Sequence, residues 1–440
     1  MVQLPQIKTP EPTEIGSYFI ANYPPFSAWK PEHVPAATAA LDGPVRLETP
    51  LGLYLHIPFC RKRCTFCYFR VYTDKNADEV DVYTDTLAKE IGLYAKRNAF
   101  AGRQFEFVYF GGGTPSFLSN DQLLRLVDRI GKHWTWEAAR EVTFECEPGT
   151  LKESKLHTIR QIGVTRLSLG VEHFDDEVLV ANGRAHKSAE IERAWQWARE
   201  VGFPQINIDL IAGMVGDTPD KWKATVAKAL TMQPDSLTIY QMELPFNTVI
   251  SRQAKESGDA PPVADWATKR AWVDYAFNEF EAAGYRVSSG YTLVKPSPAS
   301  GFVYRDSLWH GADLVGTGVA SFSHVAGVHY QNVDTWESYL ESVGRGELPI
   351  SRALPVTKDQ RLIRELILQL KTGRLDAGYF RGKFGVEILQ QFSEAFRALE
   401  KEGVVQVDGD EIRLSRAGLL RVDGLLPRFF ESEYRGVRYT

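Results

Sequence analysis

Leu51-Gly-Leu-Tyr54-Leu-His56-Ile-Pro-Phe-Cys60-Arg-Lys-Arg-Cys64-Thr-Phe-Cys67 is an apolar run that leads into three cysteines spaced C-x3-C-x2-C. A strand followed at once by a chemically rich loop is the pattern of a barrel, whose site sits at the C-terminal ends of its strands. The 440-residue chain has only 4 cysteines, and three of them fall in this segment. Such usage is no disulfide framework, and it reads as a reducing, cytoplasmic protein.

Beyond residue 50 the chain alternates between two patterns. Apolar runs at 51–57, 105–110, 141–146, 165–171, 205–211 and 236–241 predict strands. Stretches near 79–97, 119–133, 151–162, 187–201 and 217–232 predict helices. Repeated βα units build a parallel sheet. Six of them predict an α/β fold, a partial TIM-like (β/α)6 barrel over residues 50–290. Residues 1–49 are rich in Pro and aromatics, Tyr18, Tyr23, Phe26 and Trp29 among them. They read as an ordered arm, because disordered segments are poor in aromatics. Residues 291–354 read as a barrel extension and connection, with a Pro/Ser loop at 295–301. Residues 355–440 read as a mostly helical domain. Helices at 357–372 and 387–403 lead into a hairpin over 404–414 that turns at Asp408-Gly409, a winged-helix-like order.

Composition narrows the function classes. Hydrophobic residues make up 44% and charged residues 24%, as in a soluble globular protein. A net charge of -5 gives no general attraction to nucleic acid or anionic lipid, and the winged-helix-like domain has no basic stripe for DNA. No apolar run reaches membrane-spanning length. Residues 1–11 lack the apolar core of a secretory signal.

Three thiolates on one loop suit a metal centre. A [4Fe–4S] cube normally takes four cysteines, so three leave one iron without a protein ligand. The amino and carboxylate groups of S-adenosylmethionine (SAM) can chelate that iron. A structural zinc is the alternative, with an Asp, a Glu or His56 as its fourth ligand. Arg61, Lys62 and Arg63 beside the cysteines favour thiolate over thiol. Cys146 reads as packing, and His56 as a hydrogen-bonded wall residue. His186 and His310 carry weaker signals.

The segment from Tyr54 to Cys67 resembles the radical SAM group that includes oxygen-independent coproporphyrinogen III oxidase, haem chaperones and class C radical methyltransferases. The resemblance runs over residues 50–430 through motifs in order: Gly111-Gly-Gly-Thr-Pro-Ser116, Glu145 in Phe-Glu-Cys-Glu-Pro-Gly, Arg166-Leu-Ser-Leu-Gly-Val171, Gly183-Arg-Ala-His186, Asn207-Ile-Asp209-Leu-Ile-x-Gly213, Tyr304-x4-Trp309 and Gly316-x-Gly318-x2-Ser321-x-Ser323. It implies a [4Fe–4S] cluster on Cys60, Cys64 and Cys67. It also implies one SAM molecule, or two, held by Tyr54, Phe66, Gly112, Gly113, Thr114, Glu145, Glu172, Arg184 and Asp209. The partners it implies are a small-molecule substrate and an electron donor such as flavodoxin or ferredoxin. No residue is assigned a catalytic role toward the substrate.

Three positions depart from the pattern. Phe69 stands where the coproporphyrinogen enzymes usually have a fourth cysteine. Glu172 stands where Gln is common, and a carboxylate only accepts hydrogen bonds where an amide also donates. The arm segment Tyr18-Phe-Ile-Ala-Asn-Tyr-Pro24 lacks an Arg expected to help hold substrate. The expected function is therefore a radical SAM enzyme acting on a tetrapyrrole or similar conjugated substrate. A two-SAM methyltransferase or cyclopropanase, and a haem chaperone that keeps the cluster, are the alternatives. An aromatic arm over the barrel mouth suits an enzyme, because radicals must be shielded. The glycines at 316–318 suit a second SAM or the substrate.

Overall fold

The computed structural model describes Thr13 and residues 19–297 and 301–437. The readings made on Tyr18, on residues 1–11 and on part of the 295–301 loop lie outside the described residues.

Six parallel strands form the centre: β1 (Leu51–Ile57), β2 (Phe107–Gly112), β3 (Glu141–Cys146), β4 (Arg166–Glu172), β5 (Gln205–Ala212) and β6 (Ser236–Gln241). Their apolar runs point to both faces of the sheet, so nearly every position is buried, as covering helices on a parallel sheet require. The helices between them begin on side-chain caps. Asn76 caps Ala77–Ala95, Ser119 caps Asn120–Gly131 and Thr218 caps Pro219–Met232, each supplying an acceptor to an orphan N–H of the first turn.

The sheet does not end at these six strands. It continues through β7 (Arg286–Val287), β8 (Thr292–Val294), β9 (Asp313–Thr317), β10 (Phe322–Val325), β11 (Val328–Asn332) and β12 (Ile350–Pro355). The twelve strands run in the order β12-β11-β10-β9-β1-β2-β3-β4-β5-β6-β8-β7. β9 lies parallel beside β1, with Leu53 opposite Val315, and β8 lies antiparallel beside β6. Among the described residues, β1 therefore pairs with β9 and β2 and not with β6, and the barrel is open. Residues 291–354, read from sequence as a connection, contribute most of one sheet flank.

The helix Val303–Trp309 sits at the N-terminal end of the strands. Glu141 accepts the backbone N–H groups of Val303 and Tyr304 at 2.9 and 3.1 Å, a carboxylate at a helix start where the dipole favours it. The Tyr304 ring lies 4.4 Å from that of Tyr109.

The C-terminal region has its own core, in which Leu362, Leu366, Leu375, Phe380, Phe396 and Ile412 are buried. Helices Lys358–Leu370, Ala377–Phe384 and Ser393–Lys401 pack on a small sheet of β13 (Arg374–Asp376), β14 (Val405–Asp408) and β15 (Glu411–Leu414), in the order β13-β15-β14. The described part of the arm joins this core through Ile20 and Tyr23. Lys371 Nζ donates to Ile20 O at 2.5 Å, and Asp423 accepts the Ile20 N–H at 3.1 Å. Trp29 stacks on His329 with centroids 5.1 Å apart. Among the described residues, no helix is long and apolar enough to cross a membrane.

Candidate functional site

The loop after β1 carries Cys60, Cys64 and Cys67, all partly exposed. Its start is pinned to the next strand: Gly113 N–H donates to Ile57 O at 2.9 Å and Thr114 N–H to Phe59 O at 2.8 Å. Its middle rests on the turn after helix Asp176–Ala181, where Thr65 donates to Asn182 O through both its N–H and its hydroxyl.

Each sulfur meets a donor. Thr114 Oγ1 donates to Cys60 Sγ at 3.3 Å, Arg184 Nη1 to Cys64 Sγ at 3.3 Å, and the Phe69 backbone N–H faces Cys67. Burial pushes the Cys60 thiol up to about 12 and raises Cys67 as well. The adjacent basic run does not reverse this, contrary to the sequence reading. Arg61 is engaged by Glu147, and Arg63 donates to Cys67 O at 3.2 Å. Burial thus disfavours the thiolate at Cys60 and Cys67, and a bound cation would favour it.

The donor set fits the implied cluster. Three thiols stand near enough to feel one another's charge, with O–H and N–H donors aimed at their sulfurs, the environment that tunes iron–sulfur centres. Among the described residues, no group of three or more His, Cys, Asp or Glu, the three thiols included, stands within the span of a single metal ion.

Beside the loop, β1 to β5 bring a second set of side chains together. Tyr54 on β1 lies level with Tyr109 on β2, their rings 5.8 Å apart. Glu145 accepts from the Tyr109 hydroxyl at 2.7 Å and from Gly112 N–H at 3.3 Å. Asp209, opposite Gly170, accepts from Ser168 at 2.9 Å and Asn207 at 2.8 Å. Glu172 stands 3.5 Å from Arg184. It sits at a register shift in β4 with φ +63°, a left-handed conformation that non-glycine residues adopt at a cost. Arg184 also donates to Gly170 O at 2.6 Å.

These carboxylates are deep yet partly exposed, so they line an internal space. Burial pushes Glu145 up to about 7, with the neighbouring Asp209 and Glu172 charges adding to it. Burial likewise raises Glu172 to about 7, and Asp209 shifts upward too. Three carboxylates against one guanidinium favour a ligand with net positive charge.

The remaining expected residues fall into place differently. Gly112 has φ +106°, and a Cβ there would lie 2.4 Å from His56 Nδ1. Phe66 packs with Val178, Ile211, Met214 and Met242 as an apolar wall. Phe69 is exposed and its ring lies 4.5 Å from Tyr68. Buried His56 is held down at about 4 by desolvation, and Cys146 is buried packing. His310 Nδ1 donates to Asp306 O of the helix it ends, at 2.7 Å. Gly316 and Gly318 serve packing. A Cβ on Gly316 would lie 2.1 Å from Phe322 O, and Gly318 N–H donates to Glu90 at 2.8 Å. Sequence reasoning missed Tyr109 and Glu147, and named Tyr304 only as part of a motif without a role. The signal for Glu147 was a second carboxylate two residues past Glu145, just after the strand end.

Comparison with known proteins agrees with this geometry. Residues 54–229 match the Radical SAM superfamily and residues 356–421 the HemN C-terminal domain. The chain is 28% identical to the oxygen-independent coproporphyrinogen III oxidase of Escherichia coli (strain K12), covering 85% of this chain and 84% of the relative. It is 27% identical to the heme chaperone HemW of Bacillus subtilis, covering 83% and 96%. The solved structure of coproporphyrinogen III oxidase from Escherichia coli superposes with a TM-score of 0.81 at 26% identity, covering 94% of this chain and 96% of that one. With its thiol loop, its α/β sheet and its helical C-terminal region all in that arrangement, the chain carries a Radical SAM domain and a HemN C-terminal domain and resembles oxygen-independent coproporphyrinogen III oxidase.

Proposed function

We propose that this protein is a cytoplasmic radical SAM enzyme that abstracts hydrogen from a tetrapyrrole or similar conjugated substrate, fed electrons by a small carrier such as flavodoxin or ferredoxin. The observation that carries the reading is the pairing of Arg184 with Cys64 Sγ on one side and Glu172 on the other. One side chain thereby spans the cysteine loop and the carboxylate-lined space.

Cys60, Cys64 and Cys67 would hold a [4Fe–4S] cluster, and SAM would lie in that space against its open iron. When bound, the pair supplies a 5′-deoxyadenosyl radical by one-electron cleavage of the sulfonium. SAM carries an ammonium, a sulfonium and a carboxylate, a net positive charge that complements Glu145, Glu172 and Asp209. The backbone at Gly112 and Gly113 admits close approach of the ammonium. Arg184 offers donors to a carboxylate. Asp209 and Glu145 offer acceptors to hydroxyls or the ammonium. Tyr54 and Phe66 give flat apolar faces for the adenine. Tyr68 and Phe69, with rings 4.5 Å apart just beyond Cys67, would help keep water from the reacting centre.

The test is anaerobic reconstitution with iron, sulfide, SAM, reductant and candidate substrates. Deoxyadenosine together with CO2 supports oxidative decarboxylation. Deoxyadenosine with S-adenosylhomocysteine and a gain in substrate mass assigns a two-SAM transferase instead. Haem binding with no SAM cleavage overturns the enzyme reading in favour of a chaperone.

A further inference from the structure

A carboxylate outside the SAM-binding set ties the cysteine loop to the turn that carries Arg184. Glu147, buried just after β3, takes both nitrogens of the Arg61 fork: Nε reaches Oε2 at 3.0 Å and Nη2 reaches Oε1 at 2.9 Å. The same Oε1 accepts from His186 Nδ1 at 2.9 Å and from Gly149 N–H at 3.0 Å. The buried His186 ring is fixed from its other edge by Val171 O, 3.3 Å from Nε2. Arg61 also donates to Ala185 O at 3.2 Å.

The connections are short in sequence. Arg61 follows Cys60, and His186 lies two residues after Arg184. One buried carboxylate therefore fixes the start of the cysteine loop against the segment that donates to Cys64. The space around it is full, since a Cβ on Gly149 would lie 2.0 Å from Arg61 Nη2. A bidentate Arg–carboxylate pair sets orientation as well as distance. A carboxamide at 147 would accept through one oxygen only and turn its own N–H groups toward Arg61 or His186.

We propose that Glu147 and His186 are positioning residues. They hold the cysteine loop and Arg184 in one register, and so set SAM against the open iron. The proposal rests on the functional reading above. Partners that orient a metal site's own ligands typically cost about 10- to 100-fold in affinity or activity when removed.

The experiment uses the full chain with reconstituted cluster, as wild type, Glu147→Gln, His186→Gln and the double variant. Iron and sulfide content, the EPR spectrum of the reduced cluster with and without SAM, and KM and kcat for SAM cleavage are measured. Both single variants should keep full cluster content. The SAM-induced change in the EPR spectrum should weaken, and KM for SAM should rise about tenfold or more while kcat falls less. The double variant should be no worse than the worse single one, because both act through one contact. If Glu147→Gln fails to fold, His186→Gln carries the test, since it alters only the contacts of the ring with Glu147 and Val171 O and leaves the Arg61 pair. An unchanged KM and an unchanged SAM-induced spectrum in His186→Gln overturn the proposal. So does loss of cluster content in step with activity, which makes the network a folding element. A wild-type cluster that shows no SAM-induced change overturns the functional reading itself.

Discussion

Arg184 Nη1 lies 3.3 Å from Cys64 Sγ while its Nη2 donates to Gly170 O at 2.6 Å. One planar fork thus spans a thiol and a strand-end carbonyl. Lys carries its three N–H groups on one nitrogen and cannot reproduce the spacing of the planar fork. Arg184→Lys should retain the cluster and lose SAM-dependent activity by about 10- to 100-fold. Iron content and SAM-cleavage kinetics check this. Full activity would show that the fork is dispensable.

The three loop cysteines should behave alike, and the fourth should not. Cys60→Ala, Cys64→Ala and Cys67→Ala each should abolish the visible iron–sulfur absorption of reconstituted protein. Cys146→Ala should keep it, because Cys146 is a buried thiol on β3 that packs in the core. The substitution removes a small apolar group at a cost on the order of 1 kcal/mol. Thermal unfolding and absorbance spectra separate the two classes.

Gly112→Ala should be more damaging than a one-carbon change suggests. Its backbone has φ +106°, and the new Cβ would meet His56 Nδ1 at 2.4 Å. Trimming His56 to Ala in the same chain removes the clash but not the backbone strain. The double variant should therefore recover stability only in part, as denaturant midpoints will show.

Glu90 gives a pH signature away from the chemistry. It is fully buried and accepts from Tyr339, Gly318 N–H and Asn332 at 2.7, 2.8 and 2.6 Å. Burial raises it to about 7, against the pull of those hydrogen bonds. The native state then binds a proton that the unfolded chain, near pH 4.5, has released. Stability from this group is full below the unfolded value and falls as pH rises through the window from about 4.5 to about 7. Wild type should lose stability relative to Glu90→Gln between pH 5 and pH 8. A constant difference across that range would contradict the assignment.

Lys371 and Asp423 hold the two sides of the Ile20 peptide, and Lys371 Nζ sits 3.4 Å from the centre of the Phe19 ring. Lys371→Ala leaves Asp423 without its 2.8 Å cation, and breaking such a buried pair costs about 3–5 kcal/mol. Hydrogen exchange should rise across residues 19–30 before it rises in β1 to β6. Protection unchanged over the arm would mean that Tyr23 and Trp29 hold it alone.

Local pattern carried much of this molecule. The run from Tyr54 to Cys67, the glycines closing β2 and Glu145 near the end of β3 stood out because a βα unit places polar groups in the few residues at and after a strand's end, whereas Arg184 follows a helix and Asp209 lies within β5. The six strands showed as apolar runs. Pairing between distant segments was not readable. Nothing near residue 313 announces that β9 will lie beside β1, or that the 291–354 segment will extend the sheet. Sheet neighbours are chosen by long-range burial that no local period encodes. The glycines at 316–318 looked like a ligand loop until the fold brought Phe322 and Glu90 against them.

The sequence by itself determined that three thiols would share one loop at a strand end, because ligand spacing and βα rhythm are local properties. Only the tertiary structure decided what each thiol meets. Thr114, Arg184 and the Phe69 N–H reach the sulfurs, and Glu147 joins Arg61 to His186, through contacts that span 54, 120, 86 and 39 residues where side chains are involved. Those contacts exist because parallel strands end at one face and bring their following loops together there.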